Sequence, residues 1–185
     1  MLRFFHMHVI LVHGWKGSPE NAWFPWLRRE LESRGYTTEA LVMPHPAFPD
    51  RQVWVDHIKA SITSPDTVLI GHSLGCPSIL LALQSYDGPP LARVVLVAGF
   101  ARLFQIPLLE HWFGEARIDL NVVRSRAASW RVLHGRFDPL VPFREGEWMA
   151  EGLGVPLIET HSHRGHLTPV ELAFEVPEIL QAVIK

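Results

Sequence analysis

The chain of 185 residues is long enough for one domain with its own core, and its 48% apolar and 19% charged residues are usual for a compact globular protein. Seventeen basic against nineteen acidic residues leave a net charge of −2 with no basic block, which argues against nucleic acid or a membrane surface as partner. The single cysteine, Cys76, excludes an intrachain disulfide and a cysteine zinc site, and the apolar start lacks a small-residue cleavage site, so a cytoplasmic protein is expected.

Six short runs rich in Val, Ile and Leu read as strands: Met7–Val12, Thr37–Met43, Thr67–Ile70, Arg93–Ala98, Trp130–Leu133 and Val155–Thr160. Most lack strict alternation, as strands do when both faces of a parallel sheet are covered. Helical spacing fills the intervals. Trp23, Trp26, Leu27 and Leu31 follow a 3.6-residue period that ends at Gly35, with Pro25 suited to the first turn. Val53–Ile62, Leu74–Gln84, Phe143–Leu153 and Val170–Ile184 are the other predicted helices. Regular alternation of strand and helix predicts one doubly wound α/β domain over residues 1–185, in three αβα layers around a mainly parallel six-stranded sheet. The segment 99–128 is the one long stretch without a place in this alternation. It is rich in large apolar side chains and broken by Pro107 and Gly114. Two readings stay open: a small flap whose Phe104 and Trp112 wall a substrate pocket, or a cover for the sheet.

The chemistry enters after the third strand. Gly71-His72-Ser73-Leu74-Gly75 is a G-x-S-x-G sequence between a predicted strand and a predicted helix. A serine at the tip of such a turn has its hydroxyl exposed, and flanking glycines spare the backbone a collision with the packed strand and helix. The amide of Leu74 then opens a helix, where it suits a developing oxyanion. Partners are expected in the order Ser, acid, His, beyond the carboxyl ends of later strands. Asp138 follows the fifth strand and is the candidate acid, although Asp-Pro alone reads as a turn. His166 follows the sixth. It is preferred to His163 as base because Gly165 permits an unusual backbone angle and a helix begins at Thr168-Pro169. His163 and His166 lie three apart but bring too few ligands for a metal site, so no metal or cofactor is expected. In the turn His13-Gly14-Trp15 the amide of Trp15 is the second candidate oxyanion donor, with His13 structural. His72 and Cys76 read as packing residues.

Several stretches together resemble a known family. They are His13-Gly14, Ser18-Pro19-Glu20-Asn21, Trp23-Phe24-Pro25-Trp26-Leu27, Met43-Pro44 with Pro46 and Trp54, Gly71–Cys76, Gly135 with Asp138, Val141-Pro142, and Gly165-His166. The chain is similar to the small serine hydrolases that include YdeN-like bacterial proteins and the retinoblastoma-binding serine hydrolase of animals. That resemblance implies a minimal α/β-hydrolase fold, esterase activity on simple esters and a Ser73–His166–Asp138 triad. It is weakest over 99–128, so it carries no substrate preference. A thioesterase, acyltransferase or peptidase would use the same triad, and a protein-binding module without turnover is the other alternative. The expected partner is a small ester. A protein partner stays open, though the chain has no L-x-C-x-E segment.

Overall fold

The computed structural model describes residues 7–104, 107–160 and 165–185, apart from the side chain of Leu108. Strands β1 (His8–Val12), β2 (Thr37–Ala40), β3 (Thr67–His72), β4 (Arg93–Val97), β5 (Trp130–Gly135) and β6 (Leu157–Thr160) form one sheet in the order β2-β1-β3-β4-β5-β6. All neighbouring pairs run parallel. Each connection must therefore cross a face of the sheet, and the helices provide the crossovers. These are α1 (Phe24–Glu32), α2 (Arg51–Ser61), α3 (Gly75–Gln84), α4 (Pro107–Phe113), α5 (Leu120–Val123) and α6 (Phe143–Leu153), and α7 (Pro177–Ile184) follows β6.

Successive strand residues feed two separate cores, which is why the strands read as unbroken apolar runs. Ile10, Val12, Leu69, Leu96 and Val132 face one side, where Trp54 and Ile58 of α2, Ile79 and Leu83 of α3 and Met149 of α6 cover them. Val9, Leu11, Ile70, Val95 and Leu133 face the other, under Leu27 and Leu31 of α1 and Ile179 and Val183 of α7. Each fully buried side chain of this size contributes about 1.5–3 kcal/mol by leaving water. The result is a three-layer α/β sandwich.

The elements differ from expectation at their ends, for local reasons. The second helix starts two residues early, at Arg51, because the Asp50 carboxylate accepts the Val53 N–H at 2.9 Å and caps it. β6 starts at Leu157, since Pro156 has no N–H for a ladder and the Val155 N–H is bonded to the Ala150 carbonyl at the end of α6. The helix expected over Val170–Ile184 is broken. Pro169–Glu171 form a 3-10 turn, Leu172 is left-handed at φ 53°, and α7 begins only at Pro177. A proline disfavours helical geometry in the residue before it, and Val176 is at φ −130°, ψ 84°.

The unplaced stretch becomes α4, α5 and a 3-10 turn at Arg124–Arg126. Phe100, Leu109, Trp112 and Phe113 are buried in the core on the α3 side. Two arginines tie the stretch down. Arg102 makes a paired bond to the buried Glu145 of α6, at 2.7 and 3.2 Å. Arg51 donates to the carbonyls of Trp112, at 3.1 Å, and Phe113, capping α4.

Candidate active site

In chain order, β2 is added on one side of β1 and β3 on the other, so the carboxyl ends of β1 and β3 border the point where the winding reverses. In open α/β sheets this crevice is where ligands bind. Val12, the last residue of β1, is level with Gly71 near the end of β3. The turns that follow these two strands are therefore neighbours.

The turn after β3 is tight. Ser73 is left-handed at φ 53°, and its N–H is bonded to the Val97 carbonyl of β4 at 3.0 Å. A Cβ on Gly75 would overlap the Val12 carbonyl of β1, and one on Gly71 would press on the backbone of Gly75 and Cys76 at 3.0 Å. Both glycines are thus required by close approach rather than by a turn angle. Cys76 beside them is buried, its thiol donating to the Gly71 carbonyl at 3.2 Å, and burial pushes its pKa up, so it stays a thiol.

The turn after β1 comes close to the serine: a Cβ on Gly14 would lie 2.8 Å from that of Ser73. Four hydrogen bonds hold this turn and its neighbours against the loop after β2. The Met43 N–H donates to His13 Nε2 at 3.3 Å, Lys16 N–H to the Pro46 carbonyl at 2.8 Å, Trp15 Nε1–H to the Ala47 carbonyl at 2.9 Å, and Trp54 Nε1–H to the Pro44 carbonyl at 2.7 Å. His13 donates through Nδ1 to the Gly14 carbonyl, and burial lowers its pKa, so it is a neutral brace. Among the described residues, the backbone N–H groups of Trp15 and Leu74 have no acceptor. Two rigid, unspent donors next to a serine hydroxyl are what a tetrahedral oxyanion needs.

The remaining partners come from β5 and β6. Asp138 lies in the turn after β5. Its Oδ1 accepts the N–H groups of Leu140 and Val141, both at 2.8 Å, and its Oδ2 faces two imidazoles, His166 Nδ1 at 2.7 Å and His134 Nε2 at 3.4 Å. Burial opposes ionisation of this carboxyl, but the bonds from His134 and His166 and the Val141 amide outweigh it and hold it well below the usual carboxylate range. An ionised Asp138 makes His166 Nδ1 the protonated nitrogen, leaving Nε2 free to accept the Ser73 hydroxyl, 2.9 Å away.

His166 sits in a strained turn, with Gly165 at φ 43° and Leu167 at φ 61° on either side. Three contacts hold it. Gly135 lies so close under the Gly165 carbonyl that a Cβ would overlap it. Thr168 and Glu171 form a capping box just beyond. His72 donates through Nε2 to the His166 carbonyl at 2.8 Å. Desolvation, with the charge that His166 can carry nearby, lowers the His72 pKa to about 3, so it remains neutral. His163, the alternative base, lies outside the described residues.

A cavity of about 190 Å³ opens beside Ser73 and His166. Its walls are the β1 turn from His13 to Ser18, Asn21, Ala22 and Phe24, His72, and Leu140, Thr168 and Pro169 opposite. Phe104 and Trp112, the expected pocket residues, do not line it. Phe104 packs on Phe100 with ring centroids 5.0 Å apart, and Trp112 is buried against Phe113 at the same distance. The arginine contacts that pin 99–128 to α6 and α2 explain this placement. The wall comes instead from the β1 turn, the stretch leading into α1, and Leu140, Thr168 and Pro169. Apart from Trp15 these wall residues had no pocket signature in the sequence, and His134 at the end of β5 gave no signal of contact with Asp138. No group of three or more metal-binding side chains occurs among the described residues, and no helix is long and apolar enough to cross a membrane among them.

An all-parallel αβα sheet with a serine on a strained turn after β3 and a His–Asp pair after β6 and β5 has the architecture of an α/β-hydrolase. The chain belongs to the serine hydrolase family, whose family model matches residues 9–183. It is 31% identical over 161 residues to YdeN of Bacillus subtilis (strain 168), covering 85% of this chain and 84% of that one. The crystal structure of the B. subtilis ydeN product superposes with a TM-score of 0.86 at 30% identity, over 95% of this chain and 96% of that one. The esterase domain of a Rhodothermus marinus protein shares the fold, with a TM-score of 0.66 at 15% identity over 96% of this chain and 85% of that one.

Proposed function

We propose that the protein is a carboxylic ester hydrolase acting on small to medium acyl esters, with Ser73 as nucleophile, His166 as general base and acid, and Asp138 as its orienting anion. The observation that carries this reading is the single imidazole of His166 bridging Ser73 Oγ and Asp138 Oδ2, at 2.9 and 2.7 Å. Ser73 Oγ attacks the ester carbonyl while its proton passes to His166 Nε2. The carbonyl oxygen becomes an oxyanion between the amides of Trp15 and Leu74. Collapse of the tetrahedral intermediate expels the alcohol, which takes the proton from His166. Water then attacks the acyl-serine by the same route, releasing the acid and restoring Ser73. Asp138 stays ionised throughout and favours the imidazolium formed in each transfer. A cytoplasmic setting belongs to the same proposal and is supported by the lone, buried Cys76.

The test is labelling by a fluorophosphonate probe together with turnover of p-nitrophenyl esters. The wild type should label and turn over. Ser73→Ala should lose the label and about 10⁴-fold or more in kcat while keeping its melting transition. Near-wild-type turnover in Ser73→Ala would overturn the assignment.

A further inference from the structure

We propose that Lys16 and Asn21 form a subsite for an anionic group, so that the preferred substrates are short esters carrying a carboxylate a few atoms from the scissile carbonyl. The inference rests on the assignment of Ser73 as nucleophile and adds the substrate class to it.

The cavity beside Ser73 has one lysine and no acidic residue among its walls. His13 and His72 are held neutral there, both by desolvation. Lys16, an exposed residue of the wall, is therefore the one that carries a fixed charge. Among the described residues, no carboxylate lies within ion-pair distance of it, and its one recorded contact is the face of the Trp15 ring, 4.5 Å from Nζ. That ring is itself fixed by the bond from Nε1 to Ala47.

Of the other polar side chains on the wall, Asn21 adds donors once its partner is followed. The Ser18 hydroxyl donates to Asn21 Oδ1 at 2.8 Å, and among the described residues the Asn21 NH₂ has no acceptor. The Thr168 hydroxyl is spent as a donor on Glu171 and presents no free O–H to a ligand. The Trp15 and Leu74 amides meet the ester carbonyl and serve charged and neutral esters alike. Beyond them, the wall offers a ligand one cation and the Asn21 N–H donors. Such a wall favours an acceptor-rich, negatively charged ligand and leaves a purely apolar one with unpaired donors to desolvate.

The backbone supports this arrangement. Lys16 is left-handed at φ 55°, a conformation unfavourable for a residue that carries a side chain. The bond from its N–H to Pro46 holds it there. Strain is thus maintained at the one cationic position of the cavity. The volume of about 190 Å³ limits the occupant to a short chain.

The test compares esters matched in length. Monoethyl adipate carries the carboxylate on the acyl half, and ethyl hexanoate is its neutral partner. The acetyl ester of γ-hydroxybutyrate carries it on the alcohol half, and butyl acetate is its neutral partner. Hydrolysis is followed by pH-stat on wild type, Lys16→Met and Lys16→Arg. For at least one anionic ester, wild-type kcat/KM should exceed that of its neutral partner roughly tenfold, mainly through KM. The half that carries the preference shows which side of the ester the subsite serves. Lys16→Met should bring this ratio to about one, Lys16→Arg should keep most of it, and added salt should shrink it. A ratio of one or less in wild type for both pairs, or a ratio unmoved in Lys16→Met, would overturn the proposal. Failure of the serine assignment looks different: turnover that survives in Ser73→Ala. In that event the subsite is judged by calorimetric binding to Ser73→Ala protein, where equal affinity for monoethyl adipate and ethyl hexanoate overturns it.

Discussion

His72 lies next to Ser73 in sequence, and its consequence is felt at His166. Its Nε2–H holds the carbonyl of His166 at 2.8 Å, in a turn where Gly165 and Leu167 are both left-handed. Without that bond the strained turn has one fewer restraint, and a displacement of His166 Nε2 by about 1 Å is enough to cost on the order of 10²-fold in rate. His72→Leu should therefore lower kcat by about 10–100-fold with little change in KM, whereas His72→Gln, which keeps a donor, should recover part of it. Steady-state kinetics on both variants checks this. The same residue makes a pH prediction. Its native pKa of about 3 lies below the ordinary 6.5, so the unfolded chain binds a proton that the native state refuses. Stability from this residue is full above about pH 6.5 and is lost as pH falls from there toward 3. Between about pH 6.5 and pH 5, His72→Gln should lose about 1.6 kcal/mol less than wild type in denaturant unfolding. Equal losses would mean that the native protein accommodates a charged His72.

Among the elements, α4 is the clearest case of a sequence signal with two meanings. Trp112 and Phe113 mark an apolar helix, and an apolar helix covers a sheet or walls a cleft equally well. The deciding contacts come from far along the chain: Arg51 on the carbonyl end of α4, and Arg102 on Glu145. No local periodicity reports a partner 61 residues away. Trp112→Ala should accordingly cost about 3–5 kcal/mol of stability, as loss of a buried aromatic does. It should leave the acyl-length profile on a p-nitrophenyl ester series as in wild type. A changed profile with unchanged melting would place Trp112 at the substrate. The end of the chain teaches a related lesson. The apolar pattern of Val170–Ile184 suits one helix, but Pro177 divides it, and the stretch before it forms the capped turn that follows His166. The prolines deserved more weight than the period.

At the scale of the molecule, the parallel sheet and its order of elements were legible because burial on both faces leaves unbroken apolar runs, as in Val94–Val97. Ser73 was legible because two close approaches, to Val12 and to Cys76, leave glycine as the residue that fits on either side. Asp138 and His166 followed from chain order and strand ends. His13 was legible as a structural residue, but the bonds of His134 and His72 had no such signature: His134 bonds within its own loop, and the partner of His72 beyond β6 is set by how the strand ends align across the sheet.

That alignment also determines when the protein can first work. In the proposed assignment the oxyanion turn follows β1, the nucleophile β3, the acid β5 and the base β6, so the four parts are spread over almost the whole chain and meet only across the finished sheet. β6 is also an edge strand and the last to be made. A chain still being synthesised can fold much of its core and yet holds no base, so its serine stays unactivated. Activity should appear late and abruptly during translation. In a time course of synthesis, arrested chains that end before residue 157 should give no ester turnover, and full-length release should bring all of it. Hydrolysis by a shorter arrested chain would show that the base lies elsewhere.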